Sequence, residues 1–167
     1  MREPTNEELA YIAGIVDGEG SVGVHGRSPA RPASYSIRIG VIMTSPIPPK
    51  LCYEVFGGTL EMEKRTTKTG KFLYRWNVYC TKAASVLERL LPYLRVKKAA
   101  AEDCIALTKF YKQGRQKRIP EDERQQRDVI YNRILTYSIR GWRARSRQAA
   151  LEALGRSEVA QPMEEKI

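Results

Sequence analysis

The chain has 167 residues, 42% of them apolar, which is enough for one domain with a real core and excludes wholesale disorder. Its 29 Lys and Arg against 19 Asp and Glu give a net charge of +10, an excess that favours a polyanionic partner because each neutralised phosphate releases counterions. No apolar run approaches the roughly 20 residues of a membrane span, and Met1-Arg-Glu-Pro-Thr5 has no apolar leader region.

Thr5-Asn-Glu-Glu8 has the form of a capping box, so a helix should run from about Asn6 to Asp17 or Gly18. Along it Ala10, Ala13, Gly14 and Asp17 recur at helical spacing and leave one side nearly bare of bulk. Gly18 and Gly20 predict a stop around Glu19. Two strands should follow. Residues 21–27 alternate, with Val22 and Val24 on one face and Gly23, His25 and Arg27 on the other. Past a Pro/Arg/Ser linker at 28–33, residues 34–43 place Tyr35, Ile37, Ile39 and Val41 on one face, and Ser34, Ser36, Arg38 and Gly40 on the other.

Thr44-Ser-Pro-Ile-Pro-Pro49 predicts a turn and a helix start, and Gly57-Gly58 ends that helix. A hairpin is expected next, residues 59–65 and 71–80 flanking a turn-like tip at 66–70. Leu60, Met62, Phe72, Tyr74, Trp76 and Val78 form its apolar face. Thr59, Glu61, Glu63, Arg65, Leu73, Arg75, Asn77 and Tyr79 fall outward. Helices are predicted at 82–91, 97–111, 123–137 and 146–154, with 157–167 a loose tail, so residues 1–156 form a single domain. Between residues 109 and 156 there are 13 Lys and Arg against 5 Asp and Glu. Cys52, Cys80 and Cys104 are widely spaced, with no CxxC pair, and predict buried thiols of a reducing intracellular compartment. The single histidine, His25, argues against a zinc finger, so metal chemistry must rest on carboxylates.

The segment Ile12-Ala-Gly-Ile-Val-Asp-Gly-Glu-Gly20 resembles the LAGLIDADG signature almost position for position, with Ile for Leu, Val for Ile, and Glu for the second Asp. Leu91-Pro-Tyr-Leu-Arg-Val-Lys-Lys98 is similar to the stretch that opens a later helix in that family. The resemblance covers roughly residues 5–155. It implies an α+β fold: an αββαββα core with a curved antiparallel saddle and additional C-terminal helices. It also implies a single-motif homing endonuclease, encoded by a mobile intron-type element, that works as a homodimer on double-stranded DNA. Two motif helices would pack together through the side formed by Ala10, Ala13, Gly14 and Asp17. Each helix end would deliver one acidic residue, here Glu19, and the two carboxylates together would bind Mg²⁺. The backbone carbonyl of Gly18 is a further metal donor on this reading. Lys97 matches the family lysine near the scissile phosphate. Asp17 is open to two roles, as a ligand or as a cap or bridge. The product would be a double-strand break with short 3′ overhangs in a long pseudo-palindromic site.

Ile42-Met43-Thr44 departs from the pattern, because relatives place a polar, water-orienting residue there; Thr44 could serve if the alignment slips by one. Ile47 or a proline replaces an arginine found a few residues further on. For DNA recognition the outward sheet face is the expected surface, with Arg38 and Arg75 as guanine contacts beside Arg27, Ser36, Arg65, Asn77 and Tyr79. Arg140, Arg143, Arg145 and Arg147 are expected to contact phosphates. Lys112, Arg115, Lys117 and Arg118 do the same or form a solvated loop. Two other functions compete: a non-cleaving relative acting as an RNA maturase or DNA-binding regulator, and an unrelated basic RNA-binding protein.

Overall fold

The Thr5 hydroxyl accepts the Glu8 N–H at 3.3 Å while the Glu8 carboxylate accepts the Thr5 N–H at 3.1 Å, which satisfies two otherwise orphaned donors. Helix α1 therefore opens at Asn6, and it runs to Glu19 in the computed structural model of the chain, which describes residues 3–25, 36–64, 70, 72–110 and 120–137. It stops where expected, for a different reason. Gly20 has an ordinary φ of −81°. A Cβ there would lie 2.7 Å from the Val16 Cα and 2.8 Å from its carbonyl oxygen, both backbone atoms that cannot rotate away. Glycine is needed for close approach, not for a left-handed turn.

Strands β1 (Gly20–His25) and β2 (Ser36–Met43) lead to α2 (Ile47–Phe56), then β3 (Thr59–Lys64) and β4 (Phe72–Tyr79). Helices α3 (Cys80–Leu90), α4 (Lys98–Thr108) and α5 (Glu121–Tyr137) complete the described elements. This is the αββαββα order with added helices. The strands form one antiparallel sheet in the order β1-β2-β4-β3. Alternation on β2 is as predicted: Ile37, Ile39 and Val41 are fully buried against the helices, while Ser36 and Arg38 stand on the other face. Trp76 anchors the centre, with its indole N–H donating to the Gly57 carbonyl at 2.7 Å. Gly57 and Gly58 end α2 at φ of 65° and 100°, a region that glycine enters without steric cost.

The predicted hairpin phase is kept, since Leu60 faces Trp76 and Met62 faces Tyr74. Its predicted apolar face is covered only at one end. Trp76 and Val78 are buried, but Met62 and Phe72 remain 62% and 45% exposed. Helix α5 is tied to α4 by polar contacts. Arg133 forms a two-pronged pair with Asp103 of α4, its Nε donating at 2.6 Å, and Arg127, paired with Glu123 within α5, donates to the Phe110 carbonyl just past α4 at 2.7 Å. Cys52 and Cys104 are buried as expected, and burial pushes both thiols up to about 12. Cys80 is exposed instead, because it sits at the β4–α3 junction at φ 54° with its sulfur 3.2 Å from the Ser36 hydroxyl. No described helix is long and apolar enough to cross a membrane. The helix expected at 146–154 and the tail at 157–167 lie outside the described residues.

Candidate active site and sheet face

Burial on α1 corrects the phase of its small side. Leu9, Ile12, Ala13 and Val16 form the buried stripe, so Ala13 belongs to the chain's own core and not to an open face. The exposed stripe carries Ala10, Tyr11, Gly14 and Gly18. A Cβ on Gly14 or Gly18 would meet nothing within 4 Å.

Asp17, placed on that side by spacing, is engaged elsewhere in the chain. Its Oδ2 accepts the backbone N–H groups of Arg95 at 2.7 Å and Val96 at 3.1 Å, and its Oδ1 accepts that of Lys97 at 2.8 Å. Burial works against ionisation here, but the three amide donors and the nearby Lys97 charge outweigh it and hold the carboxyl below the usual carboxylate range. Of the two roles left open for Asp17, the contacts are those of a bridge.

Glu19 stands exposed at the last position of α1 and makes no hydrogen bond or ion pair with a described residue. Lys97 is brought beside it from a distant part of the chain. The Lys97 ammonium donates to the Asp17 carbonyl, and burial lowers its pKa while the charges of Asp17 and Glu19 oppose that shift. Lys97 thus stands near Glu19 as a partly desolvated cation. Among the described residues no three His, Cys, Asp or Glu side chains gather into a metal-holding group. Of the two carboxylates at this end among the described residues, Asp17 is bound by backbone amides, which leaves Glu19.

The pairing of Gly20 with Val41 puts Ile42, Met43 and Thr44 at the same end of the sheet as Glu19. Met43 turns inward and packs against the core, as its alternation with Val41 requires. Thr44 lies exposed just beyond the strand, and Ile47 is exposed at the start of α2.

The outward sheet face gathers Ser36 and Arg38 from β2 with Arg75, Asn77 and Tyr79 from β4, through the pairs Arg38 with Tyr79 and Gly40 with Asn77. Its side chains are not equivalent. The Arg38 guanidinium donates to the Ser21 hydroxyl at 3.3 Å, beside the end of α1. Arg75 pairs with Glu63 at 3.0 Å and faces Glu61 in register. Asn77, expected to project outward, is only 3% exposed. It folds over Gly40, where its carboxamide oxygen stands 2.4 Å from the place a Cβ would take. Tyr79 is exposed at 37%. Arg27, Arg65, Arg140, Arg143 and Arg145 lie outside the described residues.

That boundary matters for charge. The described residues carry 13 Lys and Arg against 15 Asp and Glu, so the chain's positive excess resides entirely in the other segments. Arg127 and Arg133, basic residues of α5, are committed to internal pairs. Sequence reasoning missed Glu61 and Glu63 as partners for Arg75; their shared outward phase was the available signal.

No family model matches the sequence, and no curated protein matches it. Solved structures do match in fold. The homing endonuclease I-CvuI in complex with its target superposes with a TM-score of 0.61 at 18% identity, over 91% of this chain and 97% of that one. I-CvuI on an I-CreI target, with Mg present and the DNA not cleaved, gives 0.60 at 18% identity and the same coverage. The archaeal intron-encoded homing endonuclease I-Vdi141I, complexed with DNA, gives 0.58 at 13% identity, over 90% of this chain and 96% of that one. The chain therefore has the homing endonuclease fold. It is the LAGLIDADG endonuclease fold that the motif in α1 implies.

Proposed function

We propose that this chain is a single-motif LAGLIDADG homing endonuclease that pairs with a second copy of itself, binds a long double-stranded DNA site and cuts both strands. The observation that carries the reading is the end of α1. Glu19 is exposed there and makes no hydrogen bond or ion pair with a described residue, Lys97 stands beside it, and the adjacent helix face is bare of side chains at Gly14 and Gly18. A carboxylate at the negative end of a helix is unfavourable alone and suits a hard cation. Glu19 with the Gly18 carbonyl, doubled by a second copy, offers the all-oxygen donor set that Mg²⁺ takes. Bound there, Mg²⁺ would supply Lewis-acid activation of water and of the scissile phosphate. Lys97 offers fixed positive charge to an oxyanion developing near Glu19, and the Asp17 carbonyl holds its ammonium at that place. The sheet face supplies Arg38, Arg75 and Tyr79 to base edges, and the basic segments outside the described residues supply charge for phosphates. An intracellular, reducing location accords with three unpaired cysteines.

A second reading, a non-cleaving RNA maturase or DNA-binding regulator on the same fold, is favoured by Met43 turning into the core beside Glu19's end of the sheet. A cleavage assay on a randomised DNA library with Mg²⁺ separates the two. The wild type should cut a pseudo-palindromic subset. Glu19→Gln should lose cutting while still binding that subset with Ca²⁺. Wild-type binding without any cutting would favour the second reading, and cutting by Glu19→Gln at the wild-type rate would remove Glu19 from the chemistry.

A further inference from the structure

We propose that Asp17 is the positioning residue of the cleavage centre, a carboxylate staple that joins the end of α1 to the start of α4 and sets where Lys97 stands relative to Glu19. The inference rests on the endonuclease reading above. It settles a role that the motif leaves open, because both carboxylate oxygens are occupied by three consecutive amides, of Arg95, Val96 and Lys97. Oδ2 takes two of these amides and Oδ1 the third, so the carboxylate is turned toward the start of α4.

The two residues hold each other at both ends. The Lys97 amide donates to the Asp17 side chain, and the Lys97 side chain donates to the Asp17 main chain. Such a closed loop restrains the backbone and the ammonium of Lys97 together. Helix α4 also begins without a cap of its own, since its N-cap residue is Lys97 and makes no side-chain capping bond. Asp17 accepts the N–H of that N-cap residue from 80 positions away in sequence and puts negative charge at the favourable end of the α4 dipole. Leu94 beneath the loop is buried and seats the segment on the core. Glu19 lies two residues past the staple, so a loosened α4 start would shift Lys97 against Glu19 without altering either residue.

The test uses the full-length protein. Asp17→Ala and Asp17→Asn are made in the wild-type and Lys97→Met backgrounds. Single-turnover cleavage is measured with Mg²⁺, DNA binding with Ca²⁺, mass by sedimentation, and amide exchange at residues 95–97. Asp17→Ala should slow cleavage about 10- to 100-fold, the loss expected of a misplacement near 1 Å. DNA affinity and sedimenting mass should stay at wild-type values. The same change in Lys97→Met should cost less than about twofold, because the residue acts through Lys97. Exchange at 95–97 should accelerate in both variants. If Asp17→Ala does not fold, Asp17→Asn, which keeps one acceptor oxygen, carries the same comparison. An equal loss in the Lys97→Met background, a parallel loss of binding or of mass, or unchanged exchange would overturn the proposal. A wild type that cuts no DNA would instead refute the endonuclease reading, and exchange at 95–97 would still decide whether the staple exists.

Discussion

Gly14 and Gly20 belong to the same nine-residue motif, but the space around them differs and leads to opposite expectations. A Cβ on Gly14 meets nothing within 4 Å. In an isolated chain, Gly14→Ala should stabilise α1 by about 0.5–1 kcal/mol, because alanine loses less backbone freedom on folding. For a domain of this size that is a rise of about 1–4 °C in Tm. In the proposed dimer the same position lies where two helix backbones approach. Gly14→Leu should then weaken association by about 1–3 kcal/mol, roughly 5- to 150-fold in Kd. Gly20→Ala acts within one chain. Its Cβ would overlap the Val16 backbone at 2.7 and 2.8 Å, at a cost of about 1–3 kcal/mol at every protein concentration. Sedimentation equilibrium and thermal melting over a concentration series distinguish these effects. Wild-type Tm should rise with concentration, since association stabilises the folded state by mass action. Gly14→Leu should lose that dependence while its dilute-limit Tm stays at or slightly above the wild-type value, since leucine also favours the helix over glycine, and Gly20→Ala should melt lower throughout. If Gly14→Leu keeps the wild-type concentration dependence, the exposed stripe of α1 is not the dimer contact.

Three further outcomes are expected. Arg75→Ala should cost roughly 1–3 kcal/mol on the preferred DNA site and relax preference at one position in each half-site; Glu63→Ala should raise affinity for all sequences while eroding that same preference, because Glu63 orients Arg75 and also repels phosphate. A uniform loss for Arg75→Ala, seen in a selection from randomised sites, would move base reading off this face. Replacing Arg143 and Arg145 by Ala should weaken cognate and scrambled DNA alike and reduce the salt slope by about one unit per lost contact; a change confined to cognate DNA would contradict a phosphate role. Iodoacetamide at pH 8 should label one thiol, Cys80, in the native chain and three in denaturant. The raised values of Cys52 and Cys104 keep their thiolates scarce until the pH nears about 12, so rapid native labelling of either would contradict its burial.

The features that the amino-acid sequence determined by itself are those whose signal is local. Thr5 and Glu8 are three residues apart and need only each other, so the start of α1 was legible. Alternation from Ser36 to Met43 assigned the buried face of β2, and Gly57-Gly58 marked the end of α2, each from a short window. Glu19 was legible because the helix and its stop put it at an end. What the tertiary structure decided is which of several equivalent local features meets which distant partner. Small residues lie on two sides of α1, and only packing against the sheet and α3 shows that Ala13 faces the core while Ala10 and Gly14 face out. Asp17 looked like another member of the small side until the segment leading into α4 brought three amides to its carboxylate. Alternation placed Arg75 and Asn77 outward, but the neighbouring strands decided that one pairs with Glu63 and the other closes over Gly40. Period and propensity are properties of a short stretch of chain, whereas a hydrogen bond across 80 residues depends on how every intervening element has packed.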